Sequence, residues 1–439
     1  MIKPATKIGR LFPKNTTYMR QIITIILLTL TLPILADGKF VGGDISLLPS
    51  YIDHGAKYYD NAGNAISDPL AFFGEQGLNT MRVRLFVNPE NAPSDHKGQG
   101  VVQDLAYVKR LGKMIKDAGM ALILDFHYSD TWADPAKQWT PAAWAGLSDN
   151  ELYERIYSYT REVLQEMKAA GATPDFIQTG NEISYGMLWG RSSDSASQLK
   201  KCYTNNDSNW PRFCQLLKNA IKACREECPK AQVIIHTERV SQPNVLQAFY
   251  DKMKTYGVEY DIIGLSYYSY YHGTLDALNT ALNQLESRFS DKKIMLVEVG
   301  YFHDWQTEDA KYDLSKTYPI TGEGQKAFTE ALIETVNKHA NVNGLFWWFM
   351  EANEYGLDWN TKRVTDGWYN AGLFDNQTGR AEPALSVLKN FLGESAGINR
   401  TRWQKDTNNR IYTIDGRQVG DATALPSGIY IVNGKKVIF

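Results

Sequence analysis

Eight apolar, strand-like segments alternate with amphipathic helical segments along most of this chain, and no other feature constrains its fold as strongly. The strand candidates are residues 39–46, 79–86, 121–127, 175–182, 232–238, 261–268, 294–300 and 344–350. Helical patterns lie between them, among others at 105–119, 149–171, 210–227, 274–289 and 324–339. Eight strand–helix repeats predict an α/β protein, a (β/α)8 TIM barrel followed by a small C-terminal β segment.

A doubly wound open sheet is the alternative arrangement of the same elements. It is disfavoured because no glycine-rich phosphate-binding loop follows the first strand candidate. The connections after the strand candidates are long and aromatic, whereas those before them are short. In a barrel this asymmetry places the long loops at the carboxyl ends of the strands, where barrel enzymes carry their active sites.

The 439 residues are predicted to divide into three parts. Residues 1–36 are a signal peptide, residues 37–393 the barrel, and residues 394–439 a short β module. The module contains β-like segments at 411–419, 425–433 and 435–439, joined by Gly, Pro and Asn turns. It resembles C-terminal sorting signals of some Gram-negative secreted proteins, with a small sugar-contacting module as the alternative.

The amino end has the pattern of a secretion signal. Residues 22–36 are apolar, Arg20 precedes them, and the following sequence fits cleavage near Ala36. A start at Met19 is an open alternative, because the preceding residues are polar and unusually long for the basic end of a signal. The run is shorter than a spanning helix and contains Pro33, so we expect export to the periplasm, cell surface or medium without a retained membrane anchor.

Four cysteines fall within one short segment: Cys202, Cys214, Cys224 and Cys228. An exported protein would permit disulfides among them, in any of three pairings. Proximity favours Cys202 with Cys214 and Cys224 with Cys228, although a pair four residues apart in a helix is distorted. A zinc site is the alternative, but no C-x-x-C spacing supports it.

Charge and aromatic content indicate the kind of partner. The formal net charge is -2, with both signs spread along the chain, so nucleic-acid binding is not expected. The 11 Trp and 25 Tyr residues offer many flat apolar faces with a polar edge, which suit sugar rings. We expect a monomer with a polysaccharide substrate.

Polar residues recur where the strand candidates end. They are Asp44, Arg84, Asp125, His127, Asn181, Glu182, His236, Tyr267 and Glu298. Burying so many polar groups without partners would be costly, so their convergence on one site explains them together. We therefore predict an active site at this end of the barrel.

Glu182 and Glu298 have the residue type and the placement needed for glycoside cleavage. Two carboxyl groups about 5 Å apart can act as acid/base and nucleophile, which retains the anomeric configuration. Arg84 and Tyr267 are predicted to donate to Glu298 and keep it ionised. Glu182 would need a raised pKa to act as the acid.

Several segments together resemble glycoside hydrolase family 53, the endo-β-1,4-galactanases, across about residues 38–393. They are GGDIS (42–46), RVRLFVNP (82–89), LDFHYSDTWADP (124–135), TGNE (179–182), GLSYY (264–268), LVEVGY (296–301) and GLFDNQTGRAEPAL (372–385). The resemblance implies hydrolysis of the β-1,4-galactan of pectic arabinogalactan, with Glu182 as acid/base and Glu298 as nucleophile. It also implies site-lining roles for Asp44, Arg84, His127, Asn181, Tyr267 and Trp348, and Trp132 and Trp139 are candidate sugar platforms.

The resemblance implies no required cofactor. Some bacterial relatives hold calcium in the loops after strands seven and eight, which suggests a structural calcium ion as an alternative to ordinary solvated charges. The oxygen ligands available there are Asp304, Glu308, Asp309, Asp313, Glu351, Asn353, Glu354 and Asp358, and no fixed ligand spacing assigns a site.

Two other functions stay open from sequence. One is a retaining barrel hydrolase of another β-1,4 polysaccharide, such as mannan or glucan. The other is a non-catalytic galactan-binding protein, which would be expected to lack one of the carboxylates.

Overall fold

The structure is a computed structural model. It describes residues 38–202, 207–358, 360, 364–365, 367 and 370–393, and in the tail four strands. The predicted signal peptide lies outside the described residues. The chain forms two compact units, Met1–Phe391 and Leu392–Phe439.

Eight parallel strands close into a barrel in the first unit. They are β1 (Phe40–Asp44), β2 (Thr80–Leu85), β3 (Ala121–Phe126), β4 (Phe176–Thr179), β5 (Gln232–Thr237), β6 (Ile262–Tyr268), β7 (Lys293–Gly300) and β8 (Val342–Trp347). Each strand pairs with its sequence neighbours, and β1 pairs with β8 to close the ring. The predicted (β/α)8 barrel is confirmed.

One main helix follows each strand on the outside of the barrel. They are α1 (Pro69–Glu75), α2 (Leu105–Asp117), α3 (Asp149–Ala169), α4 (Trp210–Glu227), α5 (Pro243–Thr255), α6 (Leu275–Arg288), α7 (Gly322–Val336) and α8 (Pro383–Val387). Short helices also occur at Leu48–His54, Ser94–Lys97 and Ser269–His272. No helix in the described part of the chain is long and apolar enough to cross a membrane.

Helix α3 shows how local sequence fixes these elements. The Ser148 hydroxyl accepts the N–H of Glu151, whose side chain in turn accepts the N–H of Ser148, which is a capping box. Buried residues such as Ile156, Val163 and Met167 then recur at helical spacing and cover the sheet. Each such side chain contributes roughly 1.5–3 kcal/mol by burial.

Apolar side chains fill the lower interior of the barrel. This layer consists of Phe40, Ile123, Phe176, Ile234, Ile262, Met295, Val297 and Phe346. Because side chains alternate along a strand, the next inward position on most strands lies one layer closer to the carboxyl ends. Those positions carry polar residues on three strands, namely Asp125, Gln178 and His236.

The described strands of the second unit form one antiparallel sheet. Its order is Gln418–Val419, Ile411–Thr413, Ile429–Val432 and Lys435–Ile438. The role predicted for this tail, sorting or sugar contact, remains a prediction.

The four cysteines are free thiols, all buried. The favoured disulfide pairing is therefore not formed in this structure. Cys224 lies in α4 and Cys228 immediately follows that helix, whose regular backbone continues to Glu227. Burial raises the pKa of Cys224, so this thiol is poorly disposed to ionise.

Candidate active site

A cleft of about 830 Å³ opens at the carboxyl ends of the barrel strands. Its lining includes five of the residues predicted from sequence, namely Trp132, Asn181, Glu182, Glu298 and Trp348. The two candidate catalytic carboxyl groups therefore face one cavity, as their positions after β4 and on β7 predicted.

A β-bulge turns Glu298 toward this cavity. Leu265 of β6 pairs with Leu296, but the next residue, Ser266, pairs with Glu298, so β7 contains one extra residue. Val297 belongs to the apolar interior layer. Regular alternation would then point Glu298 outward, and the extra residue reverses this for the side chain that follows.

Glu298 is held by a cation and a phenol. Arg82 Nη2 lies 3.0 Å from its Oε1, and the Tyr268 hydroxyl donates to its Oε2 at 2.8 Å. The prediction that Arg84 and Tyr267 fill these roles is wrong. The arginine that contacts Glu298 lies two positions before Arg84 on β2, and the tyrosine lies one position after Tyr267 on β6.

The Tyr267 side chain lies on the opposite face of β6 from Tyr268. It is fully buried, and its hydroxyl donates to the carbonyl of Gly273 at 2.9 Å. Ser266 and Tyr268 both contact Glu298, so the odd-numbered neighbour must point away from it. The prediction that Tyr267 lines the site is therefore wrong.

Arg82 is the centre of the polar layer below the cleft. It contacts Asp44 at 2.9 Å, Asp125 at 2.8 Å and the Asn181 side-chain oxygen at 2.8 Å, in addition to Glu298. Burial lowers the pKa of Arg82, but the three carboxylates together raise it above its usual range. A buried cation with these partners fixes the strand ends relative to one another.

Arg84 lies beside this centre rather than against Glu298. Its Nη1 donates to Asp44 at 2.9 Å, and its guanidinium lies 4.5 Å from the ring centre of Trp132 and 5.3 Å from that of Trp348. Both tryptophans line the cleft. Arg84 therefore supports the aromatic wall from below.

Glu182 follows β4 in a strained turn. Its backbone is left-handed, with φ 48° and ψ 51°, a conformation that costs a non-glycine residue of order 1 kcal/mol or more. His236 Nδ1 accepts the N–H of Glu182 at 3.3 Å, and Gln138 Nε2 donates to the carbonyl of Asn181 at 2.7 Å. These contacts hold the turn.

The two histidines below the cleft are fixed by their partners. His236 Nδ1 accepts the Glu182 N–H and lies 3.0 Å from both Gln178 Nε2 and Asn181 Oδ1. The backbone donor assigns the proton to Nε2, which lies 2.8 Å from the Ser266 hydroxyl. Burial and Arg82 lower the pKa of His236 well below 6.5, which keeps it neutral. His127 accepts the N–H of Ala133 at 3.1 Å.

Asp125 joins His127 to the arginine centre. His127 Nε2 lies 3.1 Å from Asp125 Oδ2, and Gln178 Nε2 donates to Asp125 Oδ1 at 2.6 Å. Although burial raises it, the pKa of Asp125 is lowered overall by Arg82 and His127. Asp125, His127 and His236 are thus buried supports of the site and do not line the cleft wall.

The two carboxyl groups differ in protonation. Burial, with the charges of Glu298 and Glu238, raises the pKa of Glu182 well above 4.5. Burial also raises the pKa of Glu298, to about 7, and there Arg82 and Tyr268 oppose the rise. Because neighbouring buried carboxylates do not both ionise readily, one proton stays on the pair, and the donors around Glu298 leave it on Glu182.

Sequence reasoning missed several residues of this site. Arg82, Gln178, Ser266 and Tyr268 are inward-facing on their strands, and Glu238 follows β5 at the cleft. Period-two alternation between Arg82 and Arg84 would have signalled both arginines. Trp139, a candidate platform, instead packs against Trp189 with ring centres 5.8 Å apart.

Two of the oxygen ligands considered for calcium have partners within the protein. Asp309 accepts from the Tyr271 hydroxyl, whereas Glu351 accepts the N–H of Leu47 deep in the barrel. Within the described residues no group of three or more His, Cys, Asp or Glu side chains could hold a metal ion. A structural calcium ion in these loops stays a prediction.

Known proteins match most of this chain. The arabinogalactan endo-beta-1,4-galactanase of Cellvibrio japonicus is 30% identical, covering 80% of this chain and 90% of that protein. The endo-beta-1,4-galactanase of Bacillus subtilis is 27% identical, covering 82% and 87%. The family 53 catalytic domain of Ignisphaera aggregans superposes with a TM-score of 0.69 at 33% identity, covering 81% of this chain and 97% of that chain.

The family match extends over the whole barrel. Residues 40–388 match the family described as Glycosyl hydrolase family 53, from the first residue of β1 to just beyond α8. The resemblance predicted from the sequence motifs is confirmed. This chain belongs to glycosyl hydrolase family 53.

Proposed function

We propose that this protein is an exported, retaining endo-β-1,4-galactanase that hydrolyses the β-1,4-galactan of pectic arabinogalactan. The observation that carries the proposal is the unequal environment of two carboxyl groups in one cleft. Glu298 has Arg82 at 3.0 Å and the Tyr268 hydroxyl at 2.8 Å, whereas burial and neighbouring carboxylates favour the protonated form of Glu182. A nucleophile and an acid are the pair that double displacement requires.

In the first step Glu298 attacks the anomeric carbon while Glu182 gives its proton to the leaving oxygen. The glycosidic bond breaks as the ester bond to Glu298 forms, and the leaving sugar departs as an alcohol. The positive charge on Arg82 keeps Glu298 available as a carboxylate. Asn181, which Arg82 and the Ala133 carbonyl hold in place, is suitably positioned to contact the sugar 2-hydroxyl.

In the second step Glu182, now ionised, takes a proton from water. The hydroxide oxygen attacks the same carbon, the ester bond breaks, and Glu298 leaves as the carboxylate. Two inversions give net retention. Esterification removes the negative charge of Glu298, which lowers the pKa of Glu182 and suits it to act as a base.

The substrate assignment is supported by the galactanases to which this chain is similar and by the aromatic cleft wall. Trp132 and Trp348, with ring centres 6.0 Å apart, offer apolar faces beside the carboxyl pair. We expect reducing ends to be released from galactan, and not from mannan or cellulose assayed in parallel. Proton NMR of the first products should show the β anomer. Faster cleavage of mannan or cellulose, or α products, would contradict the proposal.

Replacing Tyr268 with Phe should impair the nucleophile selectively. The Tyr268 hydroxyl lowers the pKa of Glu298, so its loss should raise that pKa and move the acidic limb of the pH–kcat/KM profile to higher pH. A hydrogen bond to a charged group contributes about 1.5–3 kcal/mol, so kcat/KM should fall about 10- to 100-fold. Tyr267→Phe is the matched control, and an equal effect there would contradict this role.

Activity should not depend on added metal. Neither carboxyl group needs a metal ion for the two displacements described above. Protein dialysed against EDTA, and then against EGTA, should keep its galactan hydrolysis and its Tm. A loss of several degrees in Tm that calcium restores would show a structural ion instead.

Export is proposed from residues 22–36 and the small residues that follow them. Expression of the full chain in a Gram-negative host should yield a processed protein whose first residue is Asp37. Amino-terminal sequencing of the protein from the periplasm or the medium would test this. An unprocessed protein that stays in the cytosol would contradict it.

A further inference from the structure

Glu238 is a third carboxyl group beside the catalytic pair, and the two displacement steps do not use it. It directly follows β5, lines the cleft and is 8% exposed. Its Oε1 accepts the Ser184 hydroxyl at 2.5 Å and lies 3.1 Å from Arg239 Nε. Its Oε2 is buried with no hydrogen-bond partner among the described residues.

Ser184 belongs to the turn that carries Glu182. The turn begins at Glu182 in the left-handed conformation and continues as the short 3-10 helix Ile183–Tyr185. Arg239 Nε also donates to the Ser184 hydroxyl oxygen at 3.2 Å, and the Arg239 guanidinium lies 4.2 Å from the Tyr185 ring centre. Glu238 and Arg239, which follow β5, thus contact Ser184 and Tyr185, two successive residues of this turn.

A strained turn keeps its geometry only where its surroundings impose it. For Glu182, the N–H is fixed by His236 and the preceding carbonyl by Gln138. The far side of the turn is fixed by the contact between Ser184 and Glu238. Without it Ser184 would keep only the weaker contact from Arg239 Nε at 3.2 Å, and Glu182 would be freer to shift relative to the leaving oxygen.

We propose that Glu238 is a positioning residue, which through Ser184 fixes the turn that aims Glu182 at the leaving oxygen. The inference rests on the proposed function, because it assigns Glu238 a part in proton delivery by Glu182. Glu238 contacts neither the anomeric carbon nor the leaving oxygen in the two displacement steps.

The test compares Glu238→Ala, Ser184→Ala and the double variant on two substrates. Galactan has a sugar leaving group that needs a proton, whereas a dinitrophenyl β-galactobioside has one that leaves without it. Misplacement by about 1 Å costs on the order of 10²-fold, so we expect kcat/KM on galactan to fall by about that factor in each single variant. On the aryl substrate kcat/KM, which reports the first displacement, should stay within about twofold.

The kcat/KM of the double variant on galactan should be no lower than that of the less active single variant. Both changes remove the same contact between Glu238 and Ser184. Glu238→Gln keeps an oxygen that accepts from Ser184, and it should restore galactan hydrolysis to within a few-fold of wild type. Glu382→Ala is the matched control, since Glu382 is equally buried at 8% exposed but pairs with His303. Its kcat/KM relative to wild type should be the same on galactan and on the aryl substrate.

Equal losses on both substrates, additive losses in the double variant, or full galactan hydrolysis by both alanine variants would overturn the inference. If Glu238→Ala fails to fold by circular dichroism, Ser184→Ala decides the matter, because it leaves the pair of Glu238 and Arg239 intact. A wild-type protein inactive on both substrates would contradict the proposed function itself.

Discussion

Replacing Glu298 with Gln is expected to lower kcat on galactan by on the order of 10⁴-fold or more, without loss of folding. The amide cannot form the ester with the anomeric carbon. Stability should be unchanged or higher, because the wild-type residue is a buried carboxyl group whose pKa is raised to about 7. The measurements are reducing-sugar release and thermal unfolding.

Two comparisons make this expectation specific. Glu351→Gln is the control, since Glu351 is also fully buried, with a pKa raised by burial to about 8, but does not line the cleft. It should retain activity. In Glu298→Ala, added azide should attack from the vacated side in a single displacement and give the α-galactosyl azide. A Glu298 variant that keeps most of its activity would contradict the assignment.

Replacing Glu182 with Ala is expected to affect substrates according to their leaving groups. General acid catalysis contributes about 10²- to 10⁴-fold, so kcat/KM on galactan should fall by that order. A dinitrophenyl β-galactobioside should still form the ester rapidly and show a burst of phenolate, followed by slow turnover. Azide should then accelerate turnover and give the β-galactosyl azide, because it replaces water in the second displacement.

The pH dependence of the same variant provides a separate test. The pKa of Glu182 is raised, so its acid form persists to higher pH than an ordinary glutamic acid, and wild-type activity on galactan should decline as the pH rises through that pKa. In Glu182→Ala this alkaline decline should disappear. The stability that protonated Glu182 contributes is present below its ordinary pKa of 4.5 and is lost as the pH rises toward the raised value. Glu182→Gln should therefore unfold at a higher temperature than wild type near neutral pH, and an unchanged alkaline limb in the alanine variant would contradict the acid role.

The barrel was predictable because its signals are local. Each of the eight barrel strands falls within or close to a predicted segment, for example Gln232–Thr237 within 232–238. Burial on both faces makes parallel strands continuous apolar runs, and helices on the surface show helical periodicity. The sequence also sufficed to place Glu182 and Glu298 at strand ends, because the carboxyl ends of parallel strands meet at one face.

The contacts within the site were decided by tertiary structure. Which of two arginines on β2, and which of two adjacent tyrosines on β6, reaches Glu298 depends on strand stagger and on an extra residue in β7. A displacement of one residue reverses the face of a side chain, and no local pattern reports such an irregularity. Likewise Glu238 and Ser184 are 54 residues apart in sequence and meet only because β4 and β5 are neighbours in the closed barrel. The sequence alone determined the barrel and the place of the two carboxyl groups at its strand ends. The closed sheet determined which residues orient Glu182 and Glu298 and shift their pKa values, since those contacts depend on register between distant strands.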